Sequence, residues 1–577
     1  MVAAFSNSPA LSSSLGPADE RRAADEYGYH VLLIVAVIIA WGGVLLVNMP
    51  LWDDWVLVAY SDAGTLWEFF RQMGRRDQYE LVAPFTALGE PRAWISAALL
   101  LSCSIPCLLF IVIRRVLLWP APDAFWAALL TALVPLNQAR FILSTIPYAF
   151  SSFFFLLALV LLAKDLEHPG IVRRLATAAL LLMAFTTNSF LVLAWIAPTI
   201  VMVDALRKHR DEPTLRRRLQ TTLRDVIARG ELLVLPVLYW AAKLLLQPTY
   251  GLYANYNKFR MGPLVGLKDT IVTLFDQFRG IRPLLPRSTD LPEVFAVTVL
   301  GILFLTMLAR VCRLRLVTAS ENMRPLPWTG AIITFACSAL LVISALFPYV
   351  MVGQPPRFSG LWETRHQTTL MLASGFVAIA ALRLTVARRF LWKTAAATAA
   401  ICLLLDLTFT QRLLADAHET GTIMALFKEQ PSPPGTMMLV VEDDRAYRAL
   451  DRFFPFYELS FLVNGGRSGP NLAISNREVI DPATGSYPTS AVPAVISALT
   501  TLCESHRSNP QYGFANFVSN GHLETVKLLP NGDPPAYFHI IGHFLGMTTI
   551  PAAPPVRLER TKQQFASACR GPCCTPN

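Results

Sequence analysis

Two adjacent carboxylates, Asp53-Asp54, follow the first long apolar run and are bracketed by Trp52 and Trp55. Paired acids at a membrane boundary are costly to desolvate unless they bind something. One of them can deprotonate a hydroxyl acceptor, or hold a divalent cation (Mg or Mn) against a phosphate. The plainer alternative is a solvated loop start whose tryptophans anchor at the headgroups. A second set lies in the loop Gly353 to Gln367, which carries Arg357 and the pair Arg365-His366 between two apolar runs. Arg offers a planar fork of donors and a helix start offers free backbone N–H groups, so this loop suits a phosphate. Alternatively, Arg365 snorkels to the headgroups and His366 packs against a tryptophan.

A third set is the basic, tyrosine-rich segment with Tyr250, Tyr253, Tyr256, Lys258, Arg260, Arg282 and Arg287. It can clamp a phosphate while tyrosines stack on sugar faces, or simply be solvated interfacial charge. Arg140 follows a short apolar helix and either points into the same outer cavity or anchors at the headgroups. Asp406, near the end of the last apolar run, reads as a buried acid paired with a neighbouring Arg. Glu442-Asp443-Asp444 reads as a solvated acidic run in preference to a cation site. His539 and His543 read as a strand and turn in preference to a metal pair. No zinc-type cysteine spacing, Gly-x-Ser-x-Gly, P-loop or dinucleotide fingerprint is present.

What positions these groups follows from composition. The 577 residues are 54% apolar and only 16% charged, against roughly 25% charged in soluble domains. Uncharged runs such as Val31–Val47, Trp94–Ile113 and Gly330–Pro356 approach the length that crosses a bilayer. The net charge of +10 is spread over short loops, which excludes a nucleic-acid footprint and fits topology charge. The expected fold is mainly α, a polytopic membrane protein with about eleven transmembrane helices and a small C-terminal extracytoplasmic α/β domain. Residues 1–29 form a polar, disordered cytoplasmic N-terminus. Residues 30–411 form the membrane domain, with large outer loops at 50–93 and 247–292.

The loops assigned inside hold Arg114-Arg115, Lys164 with Arg173-Arg174, the cluster Arg207 to Arg229, Arg310 with Arg313, and Arg383 to Lys393. The apolar stretches 175–187 and 190–204 meet at Thr186-Thr187-Asn188-Ser189. They read as two short helices with a tight outer turn; a single broken helix would reverse everything downstream. An odd helix count then places residues 412–577 outside. Strands are expected at Met437–Val441, Leu459–Val463, Glu524–Leu529 and Tyr537–Ile541. Cys503 is expected to bridge to Cys569, Cys573 or Cys574, as an oxidising compartment permits. Within 50–93, Trp67, Phe69, Phe70 and Met73 suggest an interfacial amphipathic helix.

An acidic pair heading a large first outer loop, many short helices and a C-terminal outer domain resemble the GT-C type of integral-membrane glycosyltransferases. The Ala184 to Pro198 stretch resembles the paired short helices common in them. The resemblance implies sugar transfer from a polyprenyl-phosphate donor to an extracytoplasmic cell-envelope acceptor, a glycan, lipid or protein. It implies a bacterial inner-membrane location with a periplasmic C-terminal domain. The family's first-loop acid maps onto Asp53 or Asp54 as base or metal ligand. Many members carry another acid in the next outer loop, where this chain has Asn137-Gln138-Ala139-Arg140. Two other functions use similar parts: a transporter or flippase for lipid-linked saccharides, and a polysaccharide polymerase or ligase.

Overall fold

The computed structural model describes residues 17–212, 214–254, 258, 262, 263–279, 285–286, 291–314, 316, 328–354, 362–386, 388–442, 453–467, 469–482, 484–490, 493–507, 518–530 and 556–564. The expected strand Tyr537–Ile541 and the histidines within and beside it lie outside these. Helix α1 spans Pro17–Trp41 and tightens into a 3-10 turn at Gly42–Leu46. Three helices fill the next segment: α2 (Asp54–Asp62), α3 (Leu66–Gln72) and α4 (Arg76–Leu88). Then follow α5 (Pro91–Val116), α6 (Ala121–Leu133), α7 (Ile146–Glu167), α8 (Ile171–Phe185) and α9 (Ile196–Lys208). The chain continues through α10 (Leu215–Ile227), α11 (Glu231–Leu246), α12 (Pro263–Arg279), α13 (Leu291–Val311), α14 (Trp328–Met351), α15 (Thr368–Thr385) and α16 (Arg388–Glu429).

Seven helical segments among the described residues are long and apolar enough to cross a membrane. The expectation of about eleven is not met at that length. Helices α6, α8 and α11 have 13, 15 and 16 residues, or about 20–24 Å at 1.5 Å per residue, against a hydrocarbon core roughly 30 Å thick. These segments read as short apolar runs in the sequence too, and their ends follow from it: α6 stops before Pro135, α8 at Thr186-Thr187 and α11 at Gln247-Pro248.

Ion pairs and caps sort the helix ends onto two faces. On one, Arg114 ending α5 meets Glu26 of α1 at 3.1 Å, and Arg115 meets Glu167 ending α7 at 3.0 Å. Arg174 at the start of α8 meets Glu231 at the start of α11 at 2.5 Å. Arg207 and Lys208, ending α9, reach the carbonyls of Val116 and Leu166. Arg229 pairs with Asp165, and Arg383 with Asp123. This face gathers the basic loops that the sequence assigned to one side. Since α8 starts and α9 ends there, the two form the expected hairpin and not a single broken helix. Extended backbone at Thr187 makes the break.

The opposite face carries α2–α4 and the C-terminal domain. Helix α16 has 42 residues, about 63 Å, so it crosses and then continues as a strut into that domain. There a four-stranded sheet, β1 (Met437–Val441), β2 (Leu472–Ser475), β3 (His522–Pro530) and β4 (Val556–Gln564), has the order β2-β1-β3-β4. β1 is parallel to both neighbours and β4 is antiparallel to β3. Successive strand residues alternate faces, so Met438 and Val440 pack with Ile423 and Phe427 of α16, while Met437, Leu439 and Val441 pack with Val495, Leu499 and Cys503 of the helix Pro493–Arg507. A strand buried on both sides reads as continuous apolar sequence, as Met-Met-Leu-Val-Val does.

Three expectations need correction here. Leu459–Val463 is not a strand but part of a helix, Phe456–Val463, which connects β1 to β2. A short apolar run does not distinguish the two states by periodicity, and a parallel pair requires a crossover. Phe69, Phe70 and Met73 are core residues, not the lipid face of an interfacial helix, because α3 folds back under α4. Glu442 is buried, not solvated, and accepts the Phe454 amide at 3.2 Å on both oxygens. Cys503 is disulfide-bonded to a partner outside the described residues.

Candidate functional site

The break at Thr187 creates the site. The 3-10 turn Asn188–Leu193 cannot fill the space a continuous helix would occupy. A cavity of about 450 Å³ opens between it, the start of α4, the start of α7, the middle of α11 and the end of α14. Its volume lies in the range of small-molecule sites. Pro236, Val237, Trp240 and Phe347 make an apolar wall. Val237 and Trp240 are also exposed on the flank of the helical bundle. Arg75, Gln78, Asn188, Gln354 and His366 bring polar atoms to the same cavity.

The polar end is electropositive. The charges of Arg365 and Arg75 both reach His366. Lys243, buried beside this region, bonds Asp77 and the Thr186 carbonyl, each at 3.3 Å, while Gln78 donates to the same carbonyl at 2.9 Å. Tyr239 completes the lock by donating to Asp77 at 2.6 Å. His366 lies against the Tyr349 ring at 4.8 Å, where a tryptophan neighbour was one expectation. Its Nδ1 and the Asn188 Oδ1 are buried without a hydrogen-bond partner. Such atoms are costly unless a ligand or water satisfies them. The described lining contains no Asp or Glu.

Of the residues the sequence singled out, His366 lines this cavity. Arg365 is buried next to it in the 3-10 turn Trp362–Gln367, joined to the 139 segment by the Thr364 hydroxyl, which accepts the Ala139 amide at 3.0 Å. Asp54 is fully buried and does not line it. Its oxygens accept the Leu51 amide at 3.3 Å and the Ser144 amide at 3.1 Å, with Leu143 as a third backbone donor. Burial pushes the Asp54 carboxyl up to about 8, outweighing those amides, and the neighbouring Asp53 adds to the rise. Asp53 is half-buried and accepts the Tyr457 hydroxyl of the C-terminal domain at 2.6 Å. Trp55 stacks on Phe461 of that domain. The acidic pair thus sits at a domain junction.

Arg140 is buried elsewhere, stacked 4.3 Å over Trp41 with its Nε donating to Asn137. Its charge is felt by Asp406, but both oxygens of that acid are without a hydrogen-bond partner among the described residues, and the expected pairing with an Arg is not made; Arg140 lines a separate small void. Burial lowers its affinity for a proton while Asp406 opposes the shift, leaving it at about 10. Tyr250 is engaged by Glu68 at 2.7 Å and by Arg71, so it does not stack on a ligand. Lys258 is exposed. Arg357, Arg260, Arg282, Arg287 and Tyr256 lie outside the described residues. Among the described residues, no three His, Cys, Asp or Glu side chains converge on a point. With Asp54 already ringed by backbone amides, this donor set does not fit a hard divalent cation.

Arg75, Gln78, Tyr148 and Gln354 were not anticipated. Arg75 falls in an unremarkable Arg-Arg-Asp run, and only its place at the head of α4 brings it to the cavity. The polar run Thr186 to Ser189 between apolar stretches was the available signal. No family model, curated protein or solved structure matches the chain.

Proposed function

We propose that the chain is a membrane glycosyltransferase that takes a sugar from a polyprenyl-phosphate donor. The observation that carries the reading is an apolar, flank-opening cavity whose polar end combines Arg75 with unpartnered atoms of His366 and Asn188. The isoprenoid lies along Pro236, Val237, Trp240 and Phe347, and the phosphate meets Arg75 and His366. The acceptor hydroxyl gives its proton to a carboxylate as its oxygen bonds to the anomeric carbon and the sugar–phosphate bond breaks. Negative charge then gathers on the leaving phosphate, where preorganised donors lower the barrier. Of the pair, Asp53 is the candidate base, being part exposed while Asp54 is sealed by amides; it stands outside the cavity lining, beside the C-terminal domain that would bring the acceptor.

In this reading the basic face is cytoplasmic by the positive-inside rule. The helices α6, α8, α11 and α14 cross beside the seven full-length ones, for about eleven passes in a bacterial inner membrane. The disulfide at Cys503 suits a periplasmic C-terminal domain, which presents a cell-envelope acceptor. A lipid-linked saccharide flippase is the second reading, favoured by the lack of a carboxylate in the described cavity lining.

The test uses the full chain in proteoliposomes with a panel of polyprenyl-phosphate sugars. Arg75→Gln and His366→Gln are expected to lower transfer by about 10²–10³, as loss of a preorganised donor does, and Asp53→Asn to abolish it. Parent-like transfer in both cavity variants removes the site. Translocation without transfer selects the flippase.

A further inference from the structure

Helix α10 lies outside the cavity and carries an apolar stripe that nothing else in the described structure covers. Leu215, Leu219, Leu223 and Ile227 are 71%, 53%, 58% and 64% exposed. Folded helices bury such a row when it faces protein. At about 100° per residue these positions advance by about 40° each, a band roughly 120° wide. The protein-facing side is instead polar. Thr222 is buried, Arg218 donates to the Leu206 carbonyl at 2.8 Å, and Asp225 pairs with His209 at 3.0 Å. Those bonds hold α10 against the end of α9, on the basic face of the molecule. Arg216 is exposed within the band, near its edge, and Arg217 and Arg224 are exposed on the remaining surface.

We propose that α10 lies in the membrane surface and binds anionic phospholipid headgroups, its leucine stripe in the acyl region and Arg216, Arg217 and Arg224 on the phosphates. Two observations choose lipid over another occupant. The stripe runs on, after the turn at Ala228–Gly230, into exposed Leu233, Val234, Val237 and Leu238 of α11, the apolar flank that faces lipid. Exposed Ile171, Val172 and Leu175 begin α8 at the same face. The stripe is therefore continuous with the lipid belt, and the flanking arginines complement an anionic leaflet. This holds whether or not the cavity transfers a sugar.

The experiment places single cysteines in the full chain at Leu219 and at Gln220, in nanodiscs where both faces are open. Modification by a membrane-impermeant charged maleimide is followed, with the parent chain giving the background from its own thiols. In phosphatidylglycerol-rich discs Leu219→Cys should react at least about tenfold more slowly than Gln220→Cys, because its thiol is shielded by acyl chains. Replacing Arg216, Arg217 and Arg224 by Gln should remove most of that protection, as should phosphatidylcholine discs or high salt. These arginines are exposed, so the variant keeps its fold, and an unchanged thermal midpoint checks this. Equal rates at the two positions in phosphatidylglycerol overturn the proposal. Protection that ignores lipid charge and the three arginines overturns it too, and if that protection vanishes in discs holding one copy, the stripe is a contact between chains.

Discussion

Asp54→Asn is the sharpest test of the acidic pair. Asp54 is fully buried, and its carboxyl stands at about 8 against an ordinary 3.8. The folded chain therefore keeps a proton that the unfolded chain releases once pH exceeds the ordinary value. Stability falls as pH rises from about 4 to about 8 and levels off beyond, at ~1.4 kcal/mol per pH unit. The cost is roughly 1.5 kcal/mol at about pH 5, ~4 at about pH 7 and ~5–6 near pH 8. Asparagine does not titrate, but its amide nitrogen must face one of the backbone amides of Leu51, Leu143 or Ser144, a loss of about 1–3 kcal/mol. The variant should thus be no more stable than the parent near pH 5 and more stable by about 3 kcal/mol near pH 8. Thermal unfolding of the detergent-purified chain across this range reads the crossing. The infrared carbonyl stretch of a protonated carboxyl, lost in the variant, assigns it. A parent–variant difference that stays constant from pH 5 to pH 8 would mean that Asp54 is ionised throughout, and the desolvation argument would be wrong.

Two further predictions concern the packing of the helical bundle. Lys243→Met leaves Asp77 without its cation and should cost about 3–5 kcal/mol, and adding Asp77→Asn should recover most of it; unfolding midpoints of the single and double variants decide this. Gly375→Ala should lower the midpoint by several degrees or prevent accumulation, since a Cβ there falls on the Ala127 carbonyl and the Thr131 side chain where α15 crosses α6. Unchanged stability would show that this crossing is looser than the backbone contact implies.

The apolar runs and the clustered basic loops already defined a helical membrane protein with two unlike faces, because burial in lipid and charge at the interface are written residue by residue. The strands at Met437–Val441 and Glu524–Leu529 were legible as well, the first as a continuous apolar run and the second as a mixed polar and apolar stretch, each bounded by turn residues. Leu459–Val463 was misread because its composition serves a strand or a helix equally well. The number of full-length spans escaped because a short apolar run does not say by itself whether its helix crosses a membrane.

The site was less legible still. Composition placed His366 and Arg365 beside a helix entrance, and Asp53-Asp54 beside another, by local chemistry alone. Whether an acid faces a ligand, a tyrosine hydroxyl or three backbone amides depends on residues distant in the chain. Here Ser144 closes over Asp54 and Tyr457 takes Asp53. The cavity itself depends on a helix that breaks at Thr187 and on an arginine at the head of α4, elements with no signal joining them until packing makes them neighbours. Chemistry by residue type was thus fixed locally, while exposure and proximity, which decide what that chemistry can do, were settled by the assembled fold.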